Sequence, residues 1–323
     1  MTPLKSHTPE NLLRNTISYF SFFGFAPTFS EIFTFYPKKM SRKQLKLVLD
    51  RLVSQKKIID SRKLLKITEI KAKNDEIELY NNLNDTISVL NFPLSIPLLY
   101  TLPQYSTFFN NRALRQSICQ KKLESVQHFI AFMKKLPFIT FVAVTGSSSM
   151  GNTRKSDDVD LFVITSAHSL FISRFCAIVL SYIFNVRSGK NSVCLNLFFD
   201  EKNIAIQRSK QTSYVAHEVL QMKPFIDNNN TYGRFLKSNK WVYKFFPNSR
   251  SRHADENPNS KLNRFRIRSG MTYVLLLLWP VEFILKIIQL AIIRKNKTGL
   301  ILSSTQLWLF KNDFEKRIKQ PIL

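Results

Sequence analysis

Glycine is scarce in this chain, with seven in 323 residues. Two of them, Gly146 and Gly151, fall in one short polar stretch and stand out against that background. Cysteine is scarcer, with three (Cys119, Cys176, Cys194) at no paired spacing, which excludes a disulfide framework and a structural zinc site. Cys176 and Cys194 sit in apolar runs, where cysteines are ordinarily core residues of a reduced, intracellular protein. Acidic residues are outnumbered, 22 against 48 Lys and Arg, for a formal net charge of +26. Such a balance favours anionic partners: nucleotides, nucleic acid or an acidic membrane surface. The chain is also rich in Lys, Asn, Ile and Phe as a matter of composition, so charge supports an anionic partner without naming one. There is no P-loop lysine and no kinase motif set, which leaves ATP hydrolysis and phosphotransfer unsupported. The amino terminus, MTPLKSHTPENLLRN, lacks a charged-then-apolar-then-small pattern; the expectation is no signal peptide and a cytoplasmic protein.

What is present is a chain with 44% hydrophobic and 13% aromatic residues, enough for two modest packed domains. Residues 8–70 read as three helices and a hairpin. Thr8-Pro9 is a helix start, with Leu13, Ile17 and Phe20 recurring at helical spacing. Thr28 with Glu31 forms a capping box for a short second helix. Ser41 opens a third, with an apolar stripe of Leu45, Val48, Leu49 and Leu52 and a basic face of Arg42, Lys43, Lys46 and Arg51. Residues 58–61 and 64–67 read as two strands of a wing. This order resembles a winged helix-turn-helix domain, which implies either nucleic-acid binding or service as a protein–protein module. Residues 71–110, Asn-rich and interrupted by Pro93, Pro97 and Pro103, read as a linker with some packed aromatic contacts. From 111 to 136 a long helix leads into a small mixed sheet with helices against one side, and 214–223 and 232–246 read as further helices. The expected class is therefore α+β, with a helical C-terminal region over 260–320.

The chemistry concentrates in FVAVTGSSSMGNTRKSDDVDLFVIT, residues 141–165. An apolar strand runs into Gly146-Ser147, and Asp158 and Asp160 head a second apolar run. Residues i and i+2 of a strand share a face, so the two carboxylates aim together while Val159 and Leu161 face the core. Two converging carboxylates beside a Gly-Ser turn suit a magnesium-held triphosphate, with hard oxygen ligands for the ion and backbone N–H groups for phosphate.

Gly146-Ser147-x-x-x-Gly151 followed by Ser156-Asp157-Asp158-Val159-Asp160-Leu161 resembles the signature of the nucleotidyltransferase superfamily with the DNA polymerase beta-like fold, in the style of its minimal stand-alone members. The resemblance is specific over residues 138–166 and looser to about 247, including Tyr214-x-x-His217-Glu218. It implies transfer of a nucleoside monophosphate from a nucleoside triphosphate to an acceptor hydroxyl, with release of pyrophosphate. Asp158 and Asp160 would hold one or two Mg2+ ions, Gly146 and Ser147 the phosphates, and Arg154 or Lys155 the charge developing on pyrophosphate. His217 and Glu218 are candidates for orienting the acceptor or lining the pocket. Members of the superfamily usually carry a third carboxylate on a later strand. Here the corresponding strand, 193–199, offers Asn196, whose neutral amide cannot serve as a general base. Three readings stay open: Asn196 ligates through its oxygen with Asp200 or Glu201 supplying charge, the enzyme uses one metal, or the domain binds nucleotide without turnover.

The apolar segment 271–293 is long enough to span a bilayer and is flanked by Arg264, Arg266, Arg268, Arg294, Lys295 and Lys297. Pro280, Glu282, Lys286 and Gln289 interrupt it. Glu282 and Lys286, four apart, suit a pair on one helix face. The expectation is an amphipathic helix covering the catalytic domain, with membrane contact as the alternative.

Overall fold

A computed structural model describes residues 8–62, 97–187, 192–250, 279–295 and 300–309. It divides into two compact units, one of residues up to Ser117 with 245–250, the other from Ile118 to Lys244 with the described C-terminal residues. The fold is α+β.

In the first unit the helix starts lie where the capping residues place them. Thr8 caps α1 (Pro9–Phe22). Capping boxes close the N-termini of α2 (Phe29–Thr34), through Thr28 and Glu31, and of α3 (Arg42–Ser54), through Ser41 and Gln44. Each box satisfies two otherwise orphan amides. Leu45, Leu49 and Leu52 of α3 are buried with Leu13, Ile17 and Tyr36 in one core. The first wing strand is present as β1 (Ile59–Asp60), but it pairs antiparallel with β2 (Tyr100–Thr101). The expected second wing strand, residues 64–67, lies outside the described residues. The part of the expected linker that is described packs: Leu99, Tyr100 and Leu102 are buried, and the Tyr100 amide donates to Pro27 O at 2.9 Å. Residues 245–250 join this unit through Phe246 against Phe35, with ring centroids 5.3 Å apart, and through Asn248, which bonds Met40 N and Lys38 O.

The long helix α4 (Phe108–Met133) leads to β3 (Ile139–Val144), a four-residue helix α5 (Gly146–Ser149) and β4 (Val159–Thr165). Then come α6 (Leu170–Ile183), β5 (Val193–Asp200), α7 (Ser213–Gln221), β6 (Lys223–Asp227), α8 (Thr231–Ser238), α9 (Val242–Phe245), α10 (Trp279–Lys295), β7 (Leu300–Leu302) and β8 (Gln306–Leu309). The sheet is mixed and six-stranded, in the order β6-β3-β4-β5-β8-β7, with β4 and β5 parallel and the other neighbours antiparallel.

Three expectations are revised here. The C-terminal region is not purely helical, because β8 and β7 extend the sheet beyond β5. Leu307 and Leu309 of β8 alternate into the core, and the pairing covers a β5 edge that would otherwise expose a row of unpaired backbone groups. Helices also cover both faces of the sheet. Val142, Val144, Leu161 and Val163 face α4 and α6, whereas Phe141, Phe162 and Phe199 form an aromatic cluster with Phe235 and Tyr232 of α8. Finally, Lys223–Asp227 is a strand; its Pro224 is tolerated because β6 is at the sheet edge.

Candidate nucleotide and metal site

The turn after β3 is built around Gly146. Its φ of +61° lies in the left-handed region, where a side chain costs roughly 1–2 kcal/mol. A Cβ there would also stand 2.7 Å from Asp160 Oδ2. Both facts demand glycine. On its other side, Gly146 N–H donates to Glu218 Oε2 at 3.1 Å. One glycine is thus held between a carboxylate of β4 and one of α7.

Asp160 is half-buried and paired in register with Cys194 on the parallel strand β5. Burial pushes its carboxyl up to about 6; the hydrogen bond from Cys194 works against that rise, and the charges of Asp158 and Asp157 add to it. Asp158, immediately before β4, is exposed and accepts from Ser192 Oγ. Glu218 is pushed up to about 7, by burial first and also by the Asp160 charge, against the hydrogen bonds from Gly146 N–H and Gln221. Gln221 Nε2 donates to Glu218 Oε1 at 2.6 Å. The structure therefore brings Gly146, Ser147, Asp157, Asp158, Asp160 and Glu218 to one end of the sheet.

Asn196 joins this group indirectly. A bulge between β4 and β5 moves the register from Asp160↔Cys194 to Phe162↔Leu197, so Leu195 and Phe198, three apart, both face the core. Asn196 Nδ2 donates to Cys194 Sγ, which in turn bonds Asp160. Asp200 and Glu201 do not join it. Asp200 pairs with Thr165 at the opposite end of β4, about 20 Å along β5 from Cys194 at ~3.3 Å per residue. There Asp200 accepts from His168 N at 2.7 Å and Lys202 N at 2.9 Å, a role in closing loops. The reading in which these two acids complete the metal set is therefore overturned by distance. A shallow cleft of about 360 Å³ lined by Glu201, Asn203, Arg234 and Lys237 lies at that same far end and does not belong to the site.

His217 also departs from expectation. It is buried in α7 with Nδ1 against Gln221 Oε1 at 2.9 Å, and burial pushes its pKa down to about 3, so it stays neutral at physiological pH. Of the His217-Glu218 pair, only Glu218 reaches the turn. Arg154 and Lys155 are exposed. The donors expected to face phosphate are engaged by the chain's own carboxylates: Ser147 Oγ and Arg154 N donate to Asp157 Oδ2 at 3.2 and 2.9 Å, and Gly146 N–H to Glu218.

Two residues of α4 brace the turn and were not singled out from the sequence. Cys119 Sγ meets Ser148 O at 3.2 Å, and the buried Lys122 donates through Nζ to the carbonyl of Asp157. Their i, i+3 spacing places them on one helix side, and a lysine beside the apolar stripe of Leu123 and Val126 was the available signal.

Among the described residues, no three His, Cys, Asp or Glu side chains are grouped to hold a metal ion. Magnesium asks for less than that, since it is commonly held by one or two carboxylates together with substrate phosphates. Asp158 and Asp160 fit such a donor set. No protein-family model matches the chain, and no curated protein or solved structure is significantly similar to it.

Proposed function

We propose that this chain is a magnesium-dependent nucleotidyltransferase that transfers a nucleoside monophosphate from a nucleoside triphosphate to an acceptor hydroxyl. The observation that carries the reading is the pairing of Asp158 and Asp160 at the head of β4 with a left-handed Gly146 turn fitted against Asp160. Bound magnesium would supply charge neutralisation at the phosphates and a lowered pKa for the attacking hydroxyl. Asp158 and Asp160 would hold it. The acceptor oxygen bonds to the α-phosphorus, the bond to the pyrophosphate oxygen breaks, and the hydroxyl proton leaves to solvent. Ser147 exchanges its bond to Asp157 for one to a phosphate oxygen, while Gly146 N–H keeps the turn in place through Glu218. Arg154 and Lys155, exposed beside the turn, balance charge on the departing pyrophosphate.

Pyrophosphate release from each of the four nucleoside triphosphates with Mg2+ tests this. Release by the wild type that is abolished in Asp158→Ala/Asp160→Ala, with unchanged circular dichroism, is expected. Release that persists in the double variant removes the site.

A second reading rests on the absence of a third strand carboxylate: Asn196 bonds Cys194, and Asp200 lies at the wrong end of β5. In it the domain senses nucleotide without turnover, and the N-terminal unit acts as a winged helix on nucleic acid. Several cations of α3 already have local partners there. Lys46 pairs with Asp50, Arg51 lies 3.4 Å from Glu10, and Arg42 stands over the rings of Phe29 and Phe33. Lys43 is exposed. Duplex binding that weakens steeply with salt, together with no pyrophosphate release, would favour this reading.

A further inference from the structure

Helix α10 turns Glu282 and Gln289 toward the protein, together with Leu285, Leu290 and Ile293, which pack on the core. The Glu282 carboxylate accepts from the amides of Phe171 and Ile172 at 2.8 and 2.6 Å, satisfying the first turn of α6. Gln289, seven residues on and only 6% exposed, donates to Phe171 O and accepts from Arg174 Nη1, each at 2.8 Å. Two helical turns of spacing therefore carry both amphiphilic contacts on one side. The other side is aliphatic and uncovered: Ile284 is 55% exposed, Ile287 55%, Ile288 49% and Ile292 57%. The neighbouring α6 adds exposed Phe175, Val179, Tyr182 and Ile183. Neither helix has an acidic residue on this surface, since α6 contains none and the single acid of α10 is Glu282. Exposed Arg294 and Lys295 end α10, and Lys297 follows in the sequence.

We propose that the joint outer face of α10 and α6 docks on a lipid bilayer carrying anionic headgroups. Four exposed isoleucines along one helix are unusual on a monomeric protein, and they offer no hydrogen-bonding groups, whereas protein–protein interfaces carry roughly one hydrogen bond per 100–200 Å². A face of isoleucines with a basic end in a chain of net charge +26 matches the interfacial mode, in which an apolar side sinks into the headgroup boundary and cations pair with anionic lipid. Residues 271–278 of the apolar segment lie outside the described residues, and among the described residues no helix is long and apolar enough to cross a membrane. The bonds of Glu282 and Gln289 to α6 keep the helix lying along its own domain. The proposal stands apart from nucleotidyl transfer and holds whether or not the chain turns over.

The test is co-sedimentation of the full chain with vesicles of phosphatidylcholine alone and of phosphatidylcholine mixed with phosphatidylglycerol. Sedimentation with the mixed vesicles is expected, with at least about a tenfold loss of bound fraction in Ile284→Glu/Ile288→Glu. Arg294→Gln/Lys295→Gln should weaken binding to the anionic vesicles by about fivefold per charge. Thermal melts check that the outward-facing variants fold as wild type. No binding to anionic vesicles, equal binding to both vesicle types, or binding indifferent to the isoleucine variant overturns the proposal. So does a dimer that the isoleucine variant dissolves while vesicle binding is absent, because the face would then belong to a second copy.

Discussion

The Glu218 carboxylate accepts a hydrogen bond from the Gly146 amide at 3.1 Å, although 72 residues separate the two in sequence. That contact ties α7 to the turn that Asp160 supports from the opposite side. The candidate site is therefore a clamp: a glycine with no room for a side chain, between two carboxylates that burial leaves reluctant to ionise.

Gly146→Ala is expected to damage both halves of that clamp. The left-handed backbone alone costs about 1–2 kcal/mol, and the new methyl must push Asp160 away from its position 2.7 Å off. An unfolding free energy lowered by that amount in urea denaturation, together with loss of Mg2+-dependent triphosphate binding measured by calorimetry, is the expected pair of results. Wild-type binding in a destabilised variant would separate the turn from the site.

Stability should fall as pH rises from about 4 to about 7. Both acids have folded values above their ordinary ones, Asp160 about 6 against 3.8 and Glu218 about 7 against 4.5. The folded state therefore holds more protons than the unfolded chain across that window, and stability declines with pH until both are ionised. Each contributes up to about 3 kcal/mol, and the two overlap because the Asp160 charge is one of the causes that raise Glu218. Thermal melts at about pH 5 and about pH 8 should show the drop, and Asp160→Asn or Glu218→Gln should flatten it. An equal drop in both variants would place its origin elsewhere.

Local features of this fold were legible in the sequence because their causes are local. Thr8 before Pro9, Thr28 with Glu31 and Ser41 each mark a helix start where the structure has one. The spacing from Gly146 to Asp160 put a turn and a strand head together. What was not legible arises from tertiary pairing. Nothing near Glu218 says that α7 carries it to Gly146. The β5 bulge that turns both Leu195 and Phe198 to the core depends on register with β4. Likewise the strand at 306–309 is defined by the open edge of β5 that it covers, and local spacing offers Glu282 only Lys286, because its partners, two amides of α6, are 111 and 110 residues away.

The C-terminal strand is expected to be integral to the sheet. Leu307 is fully buried and belongs to the cluster that includes Val163 and Phe198, so Leu307→Ala should cost about 2–5 kcal/mol in chemical denaturation. A loss within about 0.5 kcal/mol, the range of ordinary surface substitutions, would show β8 to be peripheral.

Glu282 supplies the last expectation, because the start of a helix accepts its charge, with Lys286 adding a smaller favourable charge. Both of its oxygens accept first-turn amides of α6, and burial raises its pKa against the lowering effect of those bonds. Glu282→Ala leaves the two amides without their acceptor, at about 1–3 kcal/mol for a buried donor of this kind. Glu282→Gln keeps one carbonyl acceptor but presents an NH2 group to the second amide, so it should lose nearly as much. If capping is the role, Asp at this position is too short to reach and gives no rescue. Hydrogen exchange at Phe171 and Ile172 reads the effect directly: faster exchange in Glu282→Ala is expected there and not in β3. Unchanged protection at those two amides would mean that α10 is not what closes the start of α6.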